Sequence, residues 1–204
     1  MSGQRDAREE EIYRRLRYPG TDVLINKLDI RDAATLEVAE RRFVRIRQRE
    51  GLPPAARRLD YAGFKAIHRH LFQDVYAWAG QERTYTTGRD VAPFARPEYI
   101  ASSLEPRFAL LKSENHLKGL DPKRFAERAA EHVNEINAAH PFIEGNGRTQ
   151  RTWLRQLALQ AGYRLTLKSE DRAAWYEASR IGFAQVDHAP MAKLIESRLK
   201  CRER

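Results

Sequence analysis

The sequence has 204 residues, of which 42% are hydrophobic, 32% charged and 9% aromatic. This composition excludes collagen-like, disulfide-framed and disordered chains, and the length suits a single globular domain over residues 1–204. Lysine and arginine outnumber aspartate and glutamate by 37 to 28, so the net charge is +9 and favours anionic partners such as nucleotides, nucleic acid or acidic proteins.

Cysteine content and the N-terminus bear on the compartment. Cys201 is the only cysteine, which excludes a disulfide or a thiolate metal cluster within one chain and indicates a reducing compartment. Residues 1–16 carry a charge every few positions where a signal peptide needs an apolar stretch, and no later segment reaches membrane-spanning length. We therefore expect a cytoplasmic protein without a membrane partner.

Helical patterns follow one another along the first two thirds of the chain. The first is predicted over residues 32–51, from an aspartate N-cap to a glycine stop. A long core helix is predicted over 60–80, where apolar residues recur at three- and four-residue spacing. A third begins at residue 97, with Pro106 expected to kink or break it, and a fourth covers 121–139 after an Asp-Pro start.

One β-hairpin is predicted, within a flap at about residues 81–93. Thr84, Tyr85, Thr86 and Thr87 favour extended backbone, and Gly88 permits a turn. Beyond residue 147, apolar stripes predict three more helices, the last with Met191, Leu194, Ile195 and Leu199 on one face. The predicted fold class is all-α with one short hairpin.

The segment that carries chemistry is HPFIEGNGRTQR, residues 140–151, between two predicted helices. Gly145, Asn146 and Gly147 just before a helix allow a tight turn and aim backbone N–H groups at an anion, with the help of the helix dipole. Arg148 and Arg151 are three residues apart on one helix face and can hold successive phosphates.

The rest of this segment supplies a base, a metal ligand and a core contact. His140 is suited to take a proton from an incoming hydroxyl, Glu144 can bind Mg²⁺, and Phe142 can fix the loop to the core. Each feature alone has a common structural explanation: a helix-end cap, a surface carboxylate, an ordinary turn. Their occurrence within twelve residues favours a functional site.

Residues 140–151 match the HxFx(D/E)GNGRxxR signature of Fic domains position for position, and the chain therefore resembles that family. The likeness extends to LFQDVYAWAGQERTY, NEINAAHPF and YPGTDVLINKLDI, and covers most of the chain. It implies a mainly helical Fic fold that transfers AMP from ATP to a hydroxyl of a target protein. Gly147 is a lysine in the phosphotransferase branch that resembles the Doc toxin, so the glycine favours AMP transfer.

The resemblance also implies a role for each residue of the motif. His140 is the expected general base, Phe142 the loop anchor and Glu144 the Mg²⁺ ligand. The expected phosphate contacts are the amides around Gly145, Asn146 and Gly147 as the anion hole, Asn146 at the α-phosphate, Arg148 at the β-phosphate and Arg151 at the γ-phosphate. In-line attack at the α-phosphorus fits this arrangement, because it needs a base on one side and a neutralised pyrophosphate on the other.

The flap has an expected role in target docking. By resemblance, a segment consisting of Arg83, Thr84, Tyr85, Thr86, Thr87 and Gly88 aligns the target chain through strand addition, with main-chain hydrogen bonds that do not depend on the target sequence. The alternative is an ordinary surface hairpin.

Many Fic proteins carry an inhibitory (S/T)xxxE(G/N) helix whose glutamate pairs with the second arginine of the motif. Two pairs here have the right ending, Glu50-Gly51 and Glu114-Asn115, but Ile46 and Leu110 stand where Ser or Thr is required. The resemblance therefore implies a separate small antitoxin whose glutamate contacts Arg151. Bacterial toxins of this class modify the DNA gyrase B subunit and its topoisomerase IV equivalent, which are the expected targets.

Two other functions stay open. One is a host-directed effector that modifies small GTPases, although such proteins usually carry secretion domains. The other is a non-enzymatic basic helical module that binds nucleic acid, suggested by the +9 charge and the arginine-rich stretch 41–58. Acidic residues interrupt that stretch, so it is more simply a solvated helix face, and direct nucleic-acid binding is not expected. A metal hydrolase and a P-loop enzyme are excluded by the lack of HExxH and Walker A motifs.

Overall fold

Helices dominate the computed structural model, which describes residues 5–89 and 92–201, and the predicted fold class is confirmed. The helices are α1 (Ala7–Arg15), α2 (Ala33–Glu50), α3 (Tyr61–Phe72), α4 (Ile100–Ser113), α5 (Pro122–Ala139), α6 (Asn146–Gln160), α7 (Asp171–Gln185) and α8 (Ala189–Arg198). Four short strands accompany them, namely β1 (Gly88–Arg89), β2 (Ala92–Pro93), β3 (Tyr163–Leu165) and β4 (Leu199–Cys201).

The limits of α2 and α5 follow from their caps, as predicted. The Asp32 carboxylate accepts a hydrogen bond from the Thr35 backbone N–H at 2.8 Å. Gly51 ends the same helix with a φ of +78°. At α5, the Asp121 carboxylate accepts from the backbone N–H groups of the second and third helical residues. These local contacts satisfy helix-end groups whatever the rest of the chain does.

The helix predicted over 60–80 is wrong in length, because α3 ends at Phe72. Beyond that residue, the Val75 carbonyl accepts from the Lys27 backbone N–H at 2.8 Å, and the Gln73 carbonyl accepts from Lys27 Nζ at 2.7 Å. A segment distant in sequence therefore takes the carbonyl groups that a longer helix would use. Val75 stays fully buried, which explains why its apolar spacing resembled helix.

The predicted break at Pro106 does not occur, since α4 continues through it. The predicted hairpin exists with a different register. Gly88 pairs with Pro93 inside the ladder instead of forming the turn. Residues 90–91, between the two strands, lie outside the described residues. A second antiparallel pair joins β3 and β4, so Leu199 is in a strand and not in the last helix.

The described chain divides into two compact units, each built from several segments. The first is drawn from Met1–Arg58, Ala62–Ile100 and Pro141–Gly145, and the second from Leu59–Tyr61, Ala101–His140 and Asn146–Arg204. Within the first unit, the core is the apolar face of α3, which the 141–145 segment joins through Phe142. Within the second unit, α5 packs against α6, α7 and α8.

Across the described ranges, no helix has both the length and the apolar character needed to cross a bilayer.

Asp171 connects the start of α7 with the end of α8, and its pKa makes this contact testable. Its carboxylate accepts from Arg198 Nη2 at 2.7 Å and from the Lys168 backbone N–H at 2.8 Å. The Arg198 hydrogen bond, and then the Lys168 hydrogen bond, lower the pKa of Asp171 below its ordinary value of 3.8. Such a group stabilises the folded state above the unfolded pKa, and this contribution is lost as the pH falls through the folded pKa.

We therefore expect Asp171→Asn to lower the Tm at neutral pH, with a difference from wild type that shrinks as the pH falls below 3.8. Thermal denaturation at a series of pH values measures this difference. Asp22→Asn changes an exposed aspartate of the first unit and serves as the control. A Tm difference for Asp171→Asn that does not vary with pH would contradict the expectation.

Candidate active site

His140 ends α5 in an unusual backbone conformation. Its φ of 45° and ψ of 61° are left-handed, and its backbone N–H donates to the Ile136 carbonyl at 3.1 Å. This conformation is uncommon for residues other than glycine and costs on the order of 1 kcal/mol or more. Strained residues of this kind cluster at functional sites, and His140 is the residue expected to act as the base.

The first half of the motif loop is fixed within the first unit. The Pro141 carbonyl accepts from the Arg83 backbone N–H at 2.8 Å. Phe142 is fully buried and stacks on Phe64, with ring centroids 5.6 Å apart, and on His68, at 3.9 Å. The backbone on both sides of Phe142 is therefore held to α3 and to the start of the flap.

Glu144 and Gly145 form the turn of the loop. The Glu144 carbonyl lies 3.0 Å from His68 Nε2, and its exposed carboxylate accepts from the Gly145 backbone N–H at 2.8 Å. Gly145 has a φ of +83°, and a Cβ there would come within 2.3 Å of the Phe72 ring. Only glycine fits this position.

The donor set at Glu144 fits Mg²⁺. Mg²⁺ in nucleotide sites usually binds one or two carboxylates, with substrate phosphates and water as the other ligands. Glu144 presents an exposed carboxylate two residues before the first residue of α6. A helix N-terminus favours negative charge, so phosphates are expected close by.

The second half of the motif lies in α6, within the second unit. Asn146 is its first residue and is buried. A Cβ on Gly147 would lie 3.4 Å from Arg151 Nη1, in ordinary van der Waals contact with that side chain. The guanidinium of Arg151 also lies over the Trp175 ring, 5.7 Å from its centroid.

Arg151 is a half-buried cation among like charges. Burial, followed by the charges of Arg155, Arg148 and Arg172, lowers the pKa of Arg151 to about 10. Within residues 5–89 and 92–201, no carboxylate forms an ion pair with it. A bound anion would relieve this repulsion, and α6 thus offers an electrostatic site for a polyphosphate.

The six flap residues differ in accessibility. Arg83 is buried, and its guanidinium donates to the carbonyls of Tyr85, at 2.8 Å, and Ala95. Tyr85 and Thr86 are also buried, and the Thr86 backbone N–H and hydroxyl both donate to the Glu9 carboxylate at 2.7 Å. These three side chains shape the flap from inside the first unit.

Thr84 is exposed, while Thr87 and Gly88 are half-buried. The Thr87 carbonyl accepts from the Phe94 backbone N–H at 3.0 Å, next to the strand pair. Strand addition by a target would therefore use backbone groups beyond Thr86, whose N–H already has a partner.

Sequence reasoning missed three residues that shape these segments: His68, Phe72 and Glu9. A signal was present for His68, because it is a polar residue on the apolar face of α3 marked by Phe64 and Leu71. No comparable signal existed for Glu9, whose partner lies 77 positions away.

Comparison with known proteins identifies close relatives. The model of the Fic/DOC family matches residues 58–158. A probable protein adenylyltransferase, y4lH of Sinorhizobium fredii, is 43% identical over 87% of this chain and 92% of its own length. A probable protein adenylyltransferase of Escherichia coli, Fic, is 37% identical over 81% of this chain and 82% of its own length.

A solved structure also resembles the fold. It is that of BepC, a VirB-translocated effector protein of Bartonella tribocorum with bound AMPPNP. The TM-score is 0.84 at 28% identity, and the match covers 93% of this chain and 98% of the other.

The contact between Gly145 and Phe72 generates a prediction. Gly145→Ala is expected to lower the free energy of unfolding by about 2–4 kcal/mol, since left-handed strain adds to overlap with a buried ring. Gly119→Ala is the matched control: its φ is +82° with nothing within 4 Å of the added Cβ, so about 1 kcal/mol is expected. Urea denaturation compares the two variants, and equal losses would show that the ring contact is unimportant.

Proposed function

This chain belongs to the Fic/DOC family and is a protein adenylyltransferase, and we propose that it acts as the toxin of a toxin–antitoxin pair. In this proposal it moves AMP from Mg²⁺-bound ATP to a hydroxyl of the DNA gyrase B subunit or of the equivalent topoisomerase IV subunit. The observation that supports the nucleotide chemistry is the environment of Arg151, a half-buried cation that pairs with no carboxylate in the described structure. A triphosphate supplies the missing negative charge.

The reaction follows from the order of groups in the motif. His140 takes the proton of the target hydroxyl, whose oxygen forms a bond to the α-phosphorus of ATP. The bond from that phosphorus to the bridging oxygen breaks, and pyrophosphate leaves. Arg148 and Arg151 hold the leaving phosphates. Glu144 would hold Mg²⁺, which would neutralise negative charge on the phosphates of ATP.

The glycine at position 147 supports transfer of AMP over transfer of the γ-phosphate. The phosphotransferases of the family carry a lysine at this position. A Cβ at this position would lie 3.4 Å from Arg151 Nη1, so a lysine there would place a second positive charge near Arg151. This chain instead leaves the space to Arg151.

His140 gives the sharpest test of the mechanism. His140→Asn removes the base and suits the left-handed backbone better than alanine does. We expect a loss of AMP transfer of about 10²–10⁴-fold with ATP binding retained. The assay incubates the chain with Mg²⁺, gyrase B subunit and ATP labelled at either the α- or the γ-phosphate, and follows the label on protein.

Transfer of α-label alone, lost in His140→Asn and in His140→Ala, supports the mechanism. Transfer of γ-label would replace it with phosphotransfer. Full activity of both variants would show that His140 is not the base. Small GTPases are a second set of acceptors in the same assay, because BepC is described as a translocated effector. Labelling of those GTPases and not of gyrase would replace the toxin proposal with the effector alternative.

Two glutamates of this chain have the sequence ending of an inhibitory glutamate. Glu50 pairs with Arg47 at 3.0 Å. Glu114 lies 2.9 Å from His132 Nε2 and also pairs with Arg128. Both glutamates with the right sequence ending are thus engaged in other contacts, which supports an inhibitory glutamate that comes from a separate small protein and contacts Arg151.

Arg151→Met tests both proposed ligands of this arginine, the triphosphate of ATP and the glutamate of the antitoxin. The change should weaken ATP binding by roughly 3 kcal/mol, about a hundredfold, because one preorganised phosphate donor is lost. It should also raise the free energy of unfolding by about 1 kcal/mol, since a half-buried cation with a lowered pKa destabilises the fold. Calorimetric titration with ATP and thermal denaturation measure the two effects.

Arg155→Met is the matched control, one turn further along α6. Burial also lowers the pKa of Arg155, but its guanidinium donates to the Leu167 carbonyl at 2.9 Å, so ATP affinity should not change. Wild-type ATP affinity in Arg151→Met would contradict the assignment. Affinity capture from native cells should recover a small partner with wild type and less of it with Arg151→Met, and recovery of none would contradict the antitoxin.

A further inference from the structure

We infer that His68, which lies outside the motif, is a positioning residue that orients the Glu144 carboxylate for Mg²⁺ through the backbone of the motif loop. The inference rests on the proposed function in one respect, the assignment of Glu144 as the Mg²⁺ ligand. All its contacts lie within the first unit.

The His68 ring is held in one orientation. It is fully buried, and it stacks on Phe142 with centroids 3.9 Å apart and planes 20° apart. The centroid of the His68 ring also lies 4.7 Å from that of Phe72 and 5.9 Å from that of Trp78. A ring packed on several sides cannot turn to exchange its two nitrogens, so each nitrogen keeps its partner.

The two partners also fix the tautomer. The Gly80 backbone N–H can only donate, and it lies 2.8 Å from Nδ1, so that nitrogen accepts and carries no proton. The proton of the neutral ring is then on Nε2, 3.0 Å from the Glu144 carbonyl, which can only accept. A single state of His68, neutral with Nε2–H, satisfies both contacts.

The link to the metal ligand is one peptide plane. The carbonyl of Glu144 and the N–H of Gly145 belong to the same planar group. His68 holds the oxygen of this group, and the N–H donates to the Glu144 carboxylate at 2.8 Å. Rotation of the peptide would break both hydrogen bonds together. The Phe72 ring, which leaves no room for a Cβ at Gly145, restricts the same peptide.

Two substitutions at position 68 test the two hydrogen bonds one at a time, because each keeps only one of them. The amide nitrogen of glutamine reaches the position of Nε2, so His68→Gln can still donate to the Glu144 carbonyl. The amide oxygen of asparagine reaches only the position of Nδ1, so His68→Asn can still accept from Gly80 and loses Glu144. Both variants lose the ring contacts, so both should have a similarly lowered Tm.

The expected difference is in Mg²⁺ dependence. His68→Asn should raise the Mg²⁺ concentration for half-maximal AMP transfer by on the order of tenfold, and His68→Gln by less than about threefold, since residues that orient a metal ligand typically contribute 10- to 100-fold in metal affinity. A second measurement needs no turnover. The Tm of each variant is compared between ATP with Mg²⁺ and ATP with a chelator, which gives the rise in Tm that depends on Mg²⁺. That rise should be smaller in His68→Asn than in His68→Gln.

His70→Asn is the matched control on the same helix. His70 is buried, and its Nε2 lies 2.9 Å from the Arg47 carbonyl, away from the motif loop. The His70→Asn substitution should lower the Tm without changing the Mg²⁺ concentration needed for half-maximal AMP transfer. Nitrogen-15 NMR of the wild-type imidazoles tests the tautomer without any variant, and His68 should show Nε2–H.

Equal Mg²⁺ requirements in His68→Asn and His68→Gln, or an Nδ1–H tautomer in the wild type, would overturn the inference. Failure of the proposed function gives a different result. Wild type would then transfer no AMP to any acceptor, while the Mg²⁺-dependent rise in Tm still compares the variants.

Discussion

Burial of Phe142 against α3 is the interaction on which the catalytic loop depends. Phe142 is fully buried, and moving such a side chain out of water contributes on the order of 2–3 kcal/mol. Because Phe142 is two residues from both His140 and Glu144, the proposed base and the proposed metal ligand are each joined to a fully buried side chain by a short stretch of chain. The loop can therefore contain strained and exposed residues without losing its shape.

The positive charge of the chain has two distinct uses. Much of it is balanced locally, as in the arginine-rich stretch, where Arg41 pairs with Glu37 and Arg47 pairs with Asp74 at 2.6 Å. This pairing reduces the charge that a nucleic acid would meet, and it agrees with an enzyme better than with a basic binding module. Around Arg151, burial and then the charges of Arg155, Arg148 and Arg172 lower the pKa of a half-buried guanidinium that pairs with no carboxylate in the described structure. Unbalanced charge is useful where an anionic substrate binds.

Predictions from the sequence succeeded where the cause was local. The limits of α2 and α5 follow from Asp32 and Asp121, whose partners are two or three residues away. They failed where the cause was distant: α3 ends early because Lys27 takes the carbonyl groups of residues 73 and 75, and β4 forms because β3 lies beside it. Apolar spacing cannot distinguish a buried helix from a buried irregular segment, because both place the same side chains in the core.

The sequence by itself determined the motif, its family and the chemical type of each group in it, since the twelve residues are contiguous and the resemblance proposes a role for each. The tertiary structure alone decided the left-handed backbone of His140, the lowered pKa of Arg151 and the contact of His68 with the loop. These properties arise from burial and from partners that packing brings close, and His68 and Glu144 are 76 positions apart in the chain. A pattern of neighbouring residues cannot predict a contact between residues so far apart in the sequence.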